Sequence, residues 1–287
     1  MLCLHGYMQN AKVFQQRTGA LRKGLRDQVE MVYVVAPHAA TDFALMPADG
    51  SLPGQREQAR EAREPSEHAD GDAGLQAAWW NTMGGDILPQ VRQSTRFLCD
   101  VIRNQGPFDG IMGFSQGAAM AAVFLGLLRN KGSDRLLTTD PELHAIINER
   151  AAKPIAWPRF ALLFSGFNPS LMSIERLVAF EQKINIPSLH LLGRKDTIVP
   201  MYRARQLAVT YFGKPEIEMH EGGHYVPADG PIVEKYRSFI MATTRTRRRV
   251  NDASEGGDSS EGTVASEGGD ASEGGDAGPA RSGAGPK

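Results

Sequence analysis

The stretch Gly113-Phe114-Ser115-Gln116-Gly117 restricts the fold of this chain more than any other. Phe108-Asp109-Gly110-Ile111-Met112 leads into it, and Ala118-Ala119-Met120-Ala121-Ala122-Val123-Phe124-Leu125 leads out. The first reads as a strand and the second as a strong helix former. Together they predict a strand, a sharp turn at Ser115 and a helix, the context that a G-x-S-x-G nucleophile elbow requires. In such an elbow the serine is held in a strained conformation above the end of the sheet. Strand and helix then pass so closely that the residues two before and two after must be small, as Gly113 and Gly117 are. Ser115 also falls at a helix N-terminus, where unpaired N–H groups and the helix dipole favour a developing oxyanion. The N–H of Gln116 is the natural first donor. A bare G-x-S-x-G match is common in a chain with 31 glycines. The flanking pattern gives this one its weight.

A serine nucleophile needs a base, and the base needs an orienting acid. In a sheet with an elbow the chain order is Ser, then Asp or Glu, then His. Asp196 and His224 stand in that order, each in a loop just past a predicted strand, Ile186 to Leu192 and Glu216 to His220 respectively. That is the edge of the sheet where ligands and catalytic groups gather. Asp196 could instead stabilise a turn, and His224 could pack beside Tyr225; the agreement of all three positions favours the triad. His220 is a minor rival for the base. His220-Glu221-Gly222-Gly223-His224 also matches the zinc pattern H-E-x-x-H. That chemistry needs both histidines on one helical face, and two glycines cost roughly 1 kcal/mol each in a helix. No metal or organic cofactor is therefore expected.

The remaining chain supports an α/β class. Met1 to Leu4 reads as a buried first strand, followed by the loop His5-Gly6-Tyr7-Met8-Gln9-Asn10. Its glycine lets backbone approach a substrate oxygen, and the N–H of Tyr7 is a candidate second oxyanion donor opposite Gln116. Asn10 is a candidate N-cap for a helix with Val13, Phe14, Leu21 and Leu25 on one face. Met31 to Ala36 reads as a second central strand. Thr41 to Gly85 reads as irregular. Within it, Gln55 to Glu67 is charged without an apolar face, and Trp79-Trp80 either lines an acyl pocket or docks the insertion on the core. Helices are expected at Ile87 to Asn104, after Ser115, at Ser173 to Lys183, at Tyr202 to Tyr211 and at Pro231 to Thr243. Phe160 to Phe164 is a further strand, and Arg129 to Pro158 reads as a second irregular insertion. Strands alternate with helices, so the sheet is expected to be mostly parallel and flanked by helices.

Residues 1–245 suit one domain. From Thr246 the chain is Arg-rich and then repeats Ala-Ser-Glu-Gly-Gly-Asp at 253, 265 and 271. With no large apolar residue after Val264, residues 246–287 are expected to be a disordered tail. The net charge of −1 gives no reason to expect a nucleic acid or an anionic membrane as partner. Arg245, Arg247, Arg248 and Arg249 read as a solvated helix end, with nuclear targeting as the alternative. No stretch reaches the ~18 apolar residues of a membrane span. Two scattered cysteines, Cys3 and Cys99, and no signal-like segment point to a reducing, cytoplasmic compartment.

Four blocks carry a family resemblance: Leu2 to Asn10, Gly106 to Ala118, Pro187 to Asp196 and Gly222 to Pro227. Together, over Met1 to about Thr243, the chain resembles the fungal-type family of serine hydrolases, whose members include an ovarian-cancer-associated homologue and polyketide-releasing thioesterases. The resemblance implies an α/β-hydrolase fold, carboxylesterase or thioesterase activity on acyl chains, and Ser115, Asp196 and His224 as the triad. The expected partner is a small acyl ester or thioester. One alternative is release of product from a polyketide or fatty acyl carrier. Another, of a different class, is a hydrolase fold that binds a ligand or partner without turnover.

Overall fold

In the computed structural model, residues 1–40, 75–81, 87–129, 140–151, 158–168 and 182–255 are described. Residues Met1–Arg247 form one compact unit. Of the second unit, Arg248–Lys287, only the helix end up to Glu255 is described. The strands are β1 (Leu2–Leu4), β2 (Val32–Val34), β3 (His38–Ala39), β4 (Ala77–Ala78), β5 (Gly110–Phe114), β6 (Phe160–Phe164), β7 (Ser188–Gly193) and β8 (Pro215–His220). The helices are α1 (Ala11–Arg17), α2 (Gly19–Leu25), α3 (Leu88–Gln105), α4 (Gln116–Arg129), α5 (Pro141–Ala151), α6 (Met201–Tyr211) and α7 (Gly230–Glu255). The main sheet has the order β2-β1-β5-β6-β7-β8, and every pairing in it is parallel.

A parallel sheet has to be covered on both faces, and strand periodicity divides its residues between two cores. Leu2, Leu4, Ile111, Ala161 and Leu163 pack with α3, α4 and α5 on one face. Cys3, Met112, Phe114, Leu162 and Phe164 pack with α1, α2 and α7 on the other. The elbow helix α4 is buried from Gln116 to Leu128. That burial explains its continuous apolar run, which has no polar face.

Several expectations need correction. Met31 to Ala36 is not a second central strand. Among the described residues its core, β2, lies at the end of the sheet order, and Val35 is 46% exposed. A β-branched run fits either position, because only the partner beyond it distinguishes edge from centre. The insertion from Arg129 to Pro158 is not wholly irregular, since α5 lies inside it. Asp140 caps α5 by accepting from Leu143 N–H at 3.0 Å, and Pro141 occupies the first turn. Arg96 anchors that cap with a 2.6 Å ion pair to Asp140. Thr41 to Gly85 is not irregular throughout, since Ala77–Ala78 pairs antiparallel with His38–Ala39.

The helix after Asn10 is two helices, divided at buried Thr18, whose hydroxyl donates to Phe14 O at 2.7 Å. Asn10 does cap α1, accepting from Val13 N–H at 2.9 Å. The closing helix runs to Glu255, well past Thr243. Gly256-Gly257 is the first strong helix breaker after it. The charged segment Gln55 to Glu67, most of Ser173 to Lys183 and the tail beyond Glu255 lie outside the described residues.

Candidate active site

Ser115 follows β5 directly, with φ of 54°. For a residue with a Cβ this left-handed conformation is strained, and neighbouring strands enforce it. Its N–H donates to Phe164 O at 2.9 Å, and its carbonyl accepts from Ala118 and Ala119 N–H at 3.0 and 3.1 Å. The turn is thus closed by β6 on one side and by the first turn of α4 on the other. Neither flanking glycine can be larger. A Cβ on Gly113 would lie 2.5 Å from Gly117 O, and one on Gly117 would overlap the carbonyl of Leu4. These are backbone atoms, which cannot swing aside. Gln116 is the first residue of α4, so its N–H has no acceptor within the helix.

Asp196 lies in the loop after β7. One carboxylate oxygen accepts from Ile198 and Val199 N–H at 3.0 and 2.8 Å. The other accepts from His224 Nδ1 at 2.7 Å. An acceptor-only partner places the proton on Nδ1 and leaves Nε2 as a lone pair. Burial alone would raise the Asp196 pKa. The hydrogen bond and charge of His224, followed by the Val199 N–H, outweigh burial and hold the carboxyl below its usual range. The two loops are joined by Lys195 N–H donating to Gly222 O at 2.9 Å. The His224 ring lies 4.8 Å, centroid to centroid, from Phe114, the residue before Ser115. Asp196 and His224 are thus bonded to each other in the loops after β7 and β8, and the His224 ring packs against the residue that precedes Ser115.

His220 takes no part in this arrangement. It ends β8, accepts from Gly222 N–H at 3.3 Å and packs edge-on against Tyr225. Burial lowers its pKa despite the nearby carboxylates, which favours a neutral ring. Since His220 is on a strand and His224 in a loop, the pair does not have the helical geometry of H-E-x-x-H.

The loop after β1 passes over the elbow. A Cβ on Gly6 would come 3.4 Å from Ser115 Cβ and 2.9 Å from the Phe114 ring, so only glycine lets the chain approach this closely. His5 braces the loop. Its Nδ1–H donates to Gly6 O at 2.7 Å and its Nε2 accepts from Ala36 N–H at 3.0 Å. Burial lowers its pKa to about 4, so it stays neutral in this role. The Tyr7 hydroxyl donates to Asn81 Oδ1 at 3.2 Å.

Trp79 and Trp80 are both fully buried. They belong to a strap, residues 77–81, that ties the two candidate oxyanion elements together. Gln116 Oε1 accepts from Trp79 N–H at 2.9 Å, and Gln116 Nε2 donates to Trp80 O at 2.7 Å. Trp79 Nε1 donates to His5 O at 2.9 Å. Ala77 exchanges backbone bonds with Met8 and Gln9. Trp79 thus has its polar groups committed to the fold. Among the described residues the Trp80 indole N–H has no partner, and its ring packs edge-on against Phe167 at 6.3 Å. Reading the sequence missed the Gln116 side chain and the His5 brace. A long amide at the head of an otherwise apolar helix was the available signal for Gln116.

The Gln116 clamp has a measurable consequence. Gln116→Met keeps the size but removes both amide bonds, leaving two buried backbone groups unpaired at ~1–3 kcal/mol each. The expected result is a clear drop in melting temperature together with a fall in kcat of at least tenfold. An unchanged kcat in a destabilised variant would separate the strap from catalysis.

The serine hydrolase (FSH1) family model matches residues 1–236. The chain belongs to this family. Relatives of the FSH1 chain include Esterase CG5412 of Drosophila melanogaster, 33% identical over 241 residues, covering 84% of this chain and 73% of that protein. Esterase OVCA2 of Xenopus tropicalis is 32% identical, covering 84% and 91%. Among solved structures, Arabidopsis thaliana SOBER1 superposes with a TM-score of 0.51 at 14% identity, over 85% of this chain and 97% of that one. That likeness concerns the fold, and the FSH1 chain has the α/β-hydrolase architecture, a mostly parallel sheet with helices on both faces. Among the described residues no helix is long and apolar enough to cross a membrane.

Proposed function

We propose that this FSH1-family protein cleaves carboxylic esters of acyl chains through an acyl-enzyme, with Ser115 as nucleophile, His224 as base and Asp196 as orienting acid. The observation that carries the reading is the 2.7 Å Asp196–His224 bond beside the strained Ser115 elbow. His224 Nε2 takes the proton from Ser115 as its oxygen attacks the acyl carbonyl, and then gives it to the leaving alcohol or thiol. Water repeats the sequence to free the acid. The N–H groups of Tyr7 and Gln116 receive the oxyanion, an interaction worth roughly 3 kcal/mol per donor. Trp79 serves the strap, while Trp80, fully buried against Phe167, is the residue whose trimming would make room for a larger acyl chain. No cofactor enters these steps. The esterase names of the relatives favour oxygen esters over thioesters.

A fluorophosphonate probe tests the reading directly. Wild-type protein is expected to be labelled at Ser115. A folded protein that resists the probe would overturn the reading in favour of a hydrolase fold that binds without turnover. In a labelled protein, a matched panel of oxygen esters and acyl thioesters, including carrier-bound ones, then assigns the leaving group. Preference for a carrier-bound thioester would replace free esters with product release from an acyl carrier.

A further inference from the structure

Ser165 stands at the end of β6 as Ser115 stands at the end of β5. The register pairs Phe114 with Phe164, so the two serines follow matched positions on neighbouring strands. Both are left-handed, Ser165 with φ of 45°. Ser165 N–H donates to Leu191 O on β7 at 2.9 Å, one strand along from the bond that Ser115 makes to Phe164. The corner cannot swing. A Cβ on the next residue, Gly166, would lie 2.6 Å from Leu207 and 2.8 Å from the Ala118 side chain, so the backbone is wedged between α6 and the elbow helix α4.

Ser165 is 1% exposed, and among the described residues its hydroxyl has no hydrogen-bond partner at normal geometry. A polar group sealed from water and left unpaired requires a reason. Asp196, in the loop after β7, offers one. Its side chain is likewise 1% exposed. An ionised carboxylate has room for about four donors. Asp196 receives Ile198 N–H, Val199 N–H and His224 Nδ1–H. The Ser165 hydroxyl lies beside this carboxylate and favours its charged form. A buried donor at the end of β6 and a carboxylate with room for one more donor, in the loop after the neighbouring strand β7, are thus both sealed from water.

We propose that Ser165 is a positioning residue whose hydroxyl donates to the Asp196 carboxylate and fixes it against His224. The backbone supports this. Glycine would hold a φ of 45° without strain. A serine kept there retains strain next to a functional site for the sake of its side chain. The inference rests on the triad reading and adds a fourth member to it. Without the hydroxyl, the carboxylate loses one restraint on its rotation and one donor to its negative charge. It then holds the imidazolium more tightly, so the acidic limb of the pH–rate profile moves to higher pH.

The experiment compares the full-length wild type with Ser165→Ala and Ser165→Gly. Short-chain ester kinetics are run across pH, and the Asp196 carboxyl is titrated by ¹³C NMR. Both variants are expected to lose roughly tenfold in kcat with KM within about twofold. In both, the acidic limb and the Asp196 titration are expected to move upward, and Ser165→Gly is expected to melt no lower than wild type. A folded variant that keeps wild-type kcat and titration overturns the proposal. So does a loss in Ser165→Ala that Ser165→Gly reverses, since that assigns the effect to the backbone. The NMR titration needs no turnover. If wild type resists the fluorophosphonate probe while the Asp196 titration still moves, the catalytic reading fails and the Ser165–Asp196 contact stands.

Discussion

Ser115→Ala is expected to lower kcat by roughly 10⁶-fold, the loss typical of removing the nucleophile from a triad that acts as a unit. The fold should not register the change. What holds the elbow is backbone: the Ser115 N–H on Phe164 O and the Ser115 carbonyl on two N–H groups of α4. Alanine carries the same left-handed strain as serine at φ of 54°. Steady-state ester hydrolysis gives the first quantity and a thermal melt the second. A residual rate within a thousandfold of wild type would mean that another nucleophile acts. A collapse in melting temperature would mean that the hydroxyl has a structural task.

Asp196→Asn is expected to cost about 10⁴-fold in kcat, through the tautomer rather than through lost packing. Asparagine can keep the two backbone bonds from Ile198 and Val199 on its carbonyl oxygen. That leaves its NH2 facing His224 Nδ1, a donor against a donor. The imidazole relieves the clash by carrying its proton on Nε2, where it can no longer accept from Ser115. Fluorophosphonate labelling should slow by a similar factor. A fall of less than tenfold would point to a different orienting acid. The same substitution has a signature in stability. The Asp196 pKa is lowered in the folded state, so its charge contributes stability that is complete above the unfolded value near ~4 and is lost as pH falls through the folded value. The acid side of the melting curve should therefore be flatter in the variant.

The elbow, the loop positions of Asp196 and His224 and the parallel sheet were legible because each leaves a local pattern. Spaced glycines around Ser115, apolar runs before Asp196 and alternation before His224 can all be read without knowing what lies across the core. The edge position of β2 was not legible, because Val32–Val34 looks the same with one neighbour as with two. The helix α5 was legible in principle. Asp140-Pro141-Glu142 is a helix-start signature, but the charged and interrupted segment around it masks the pattern. The roles of His5, Gln116 and Ser165 had no local signal of comparable strength. Each depends on a buried polar atom meeting, or failing to meet, a partner from a distant part of the chain, as Gln116 does with Trp79 and Trp80. The sequence states which polar atoms exist. Which of them are satisfied is decided by tertiary structure.

The strap also determines how the specificity of this protein could be re-engineered. Trp79 and Trp80 look interchangeable as bulky residues to trim for a larger acyl chain, but they are not. Only the backbone carbonyl of Trp80 is used by Gln116, so its side chain can be shortened at the cost of a cavity, about 3–5 kcal/mol, without disturbing the elbow. Trimming Trp79 removes the indole bond to His5 O and loosens the loop that carries Tyr7. A library that randomises both positions would mix variants of altered substrate range with variants that have simply lost rate. Diversity placed at Trp80 and Phe167, with Trp79 and Gln116 held fixed, keeps those two outcomes apart.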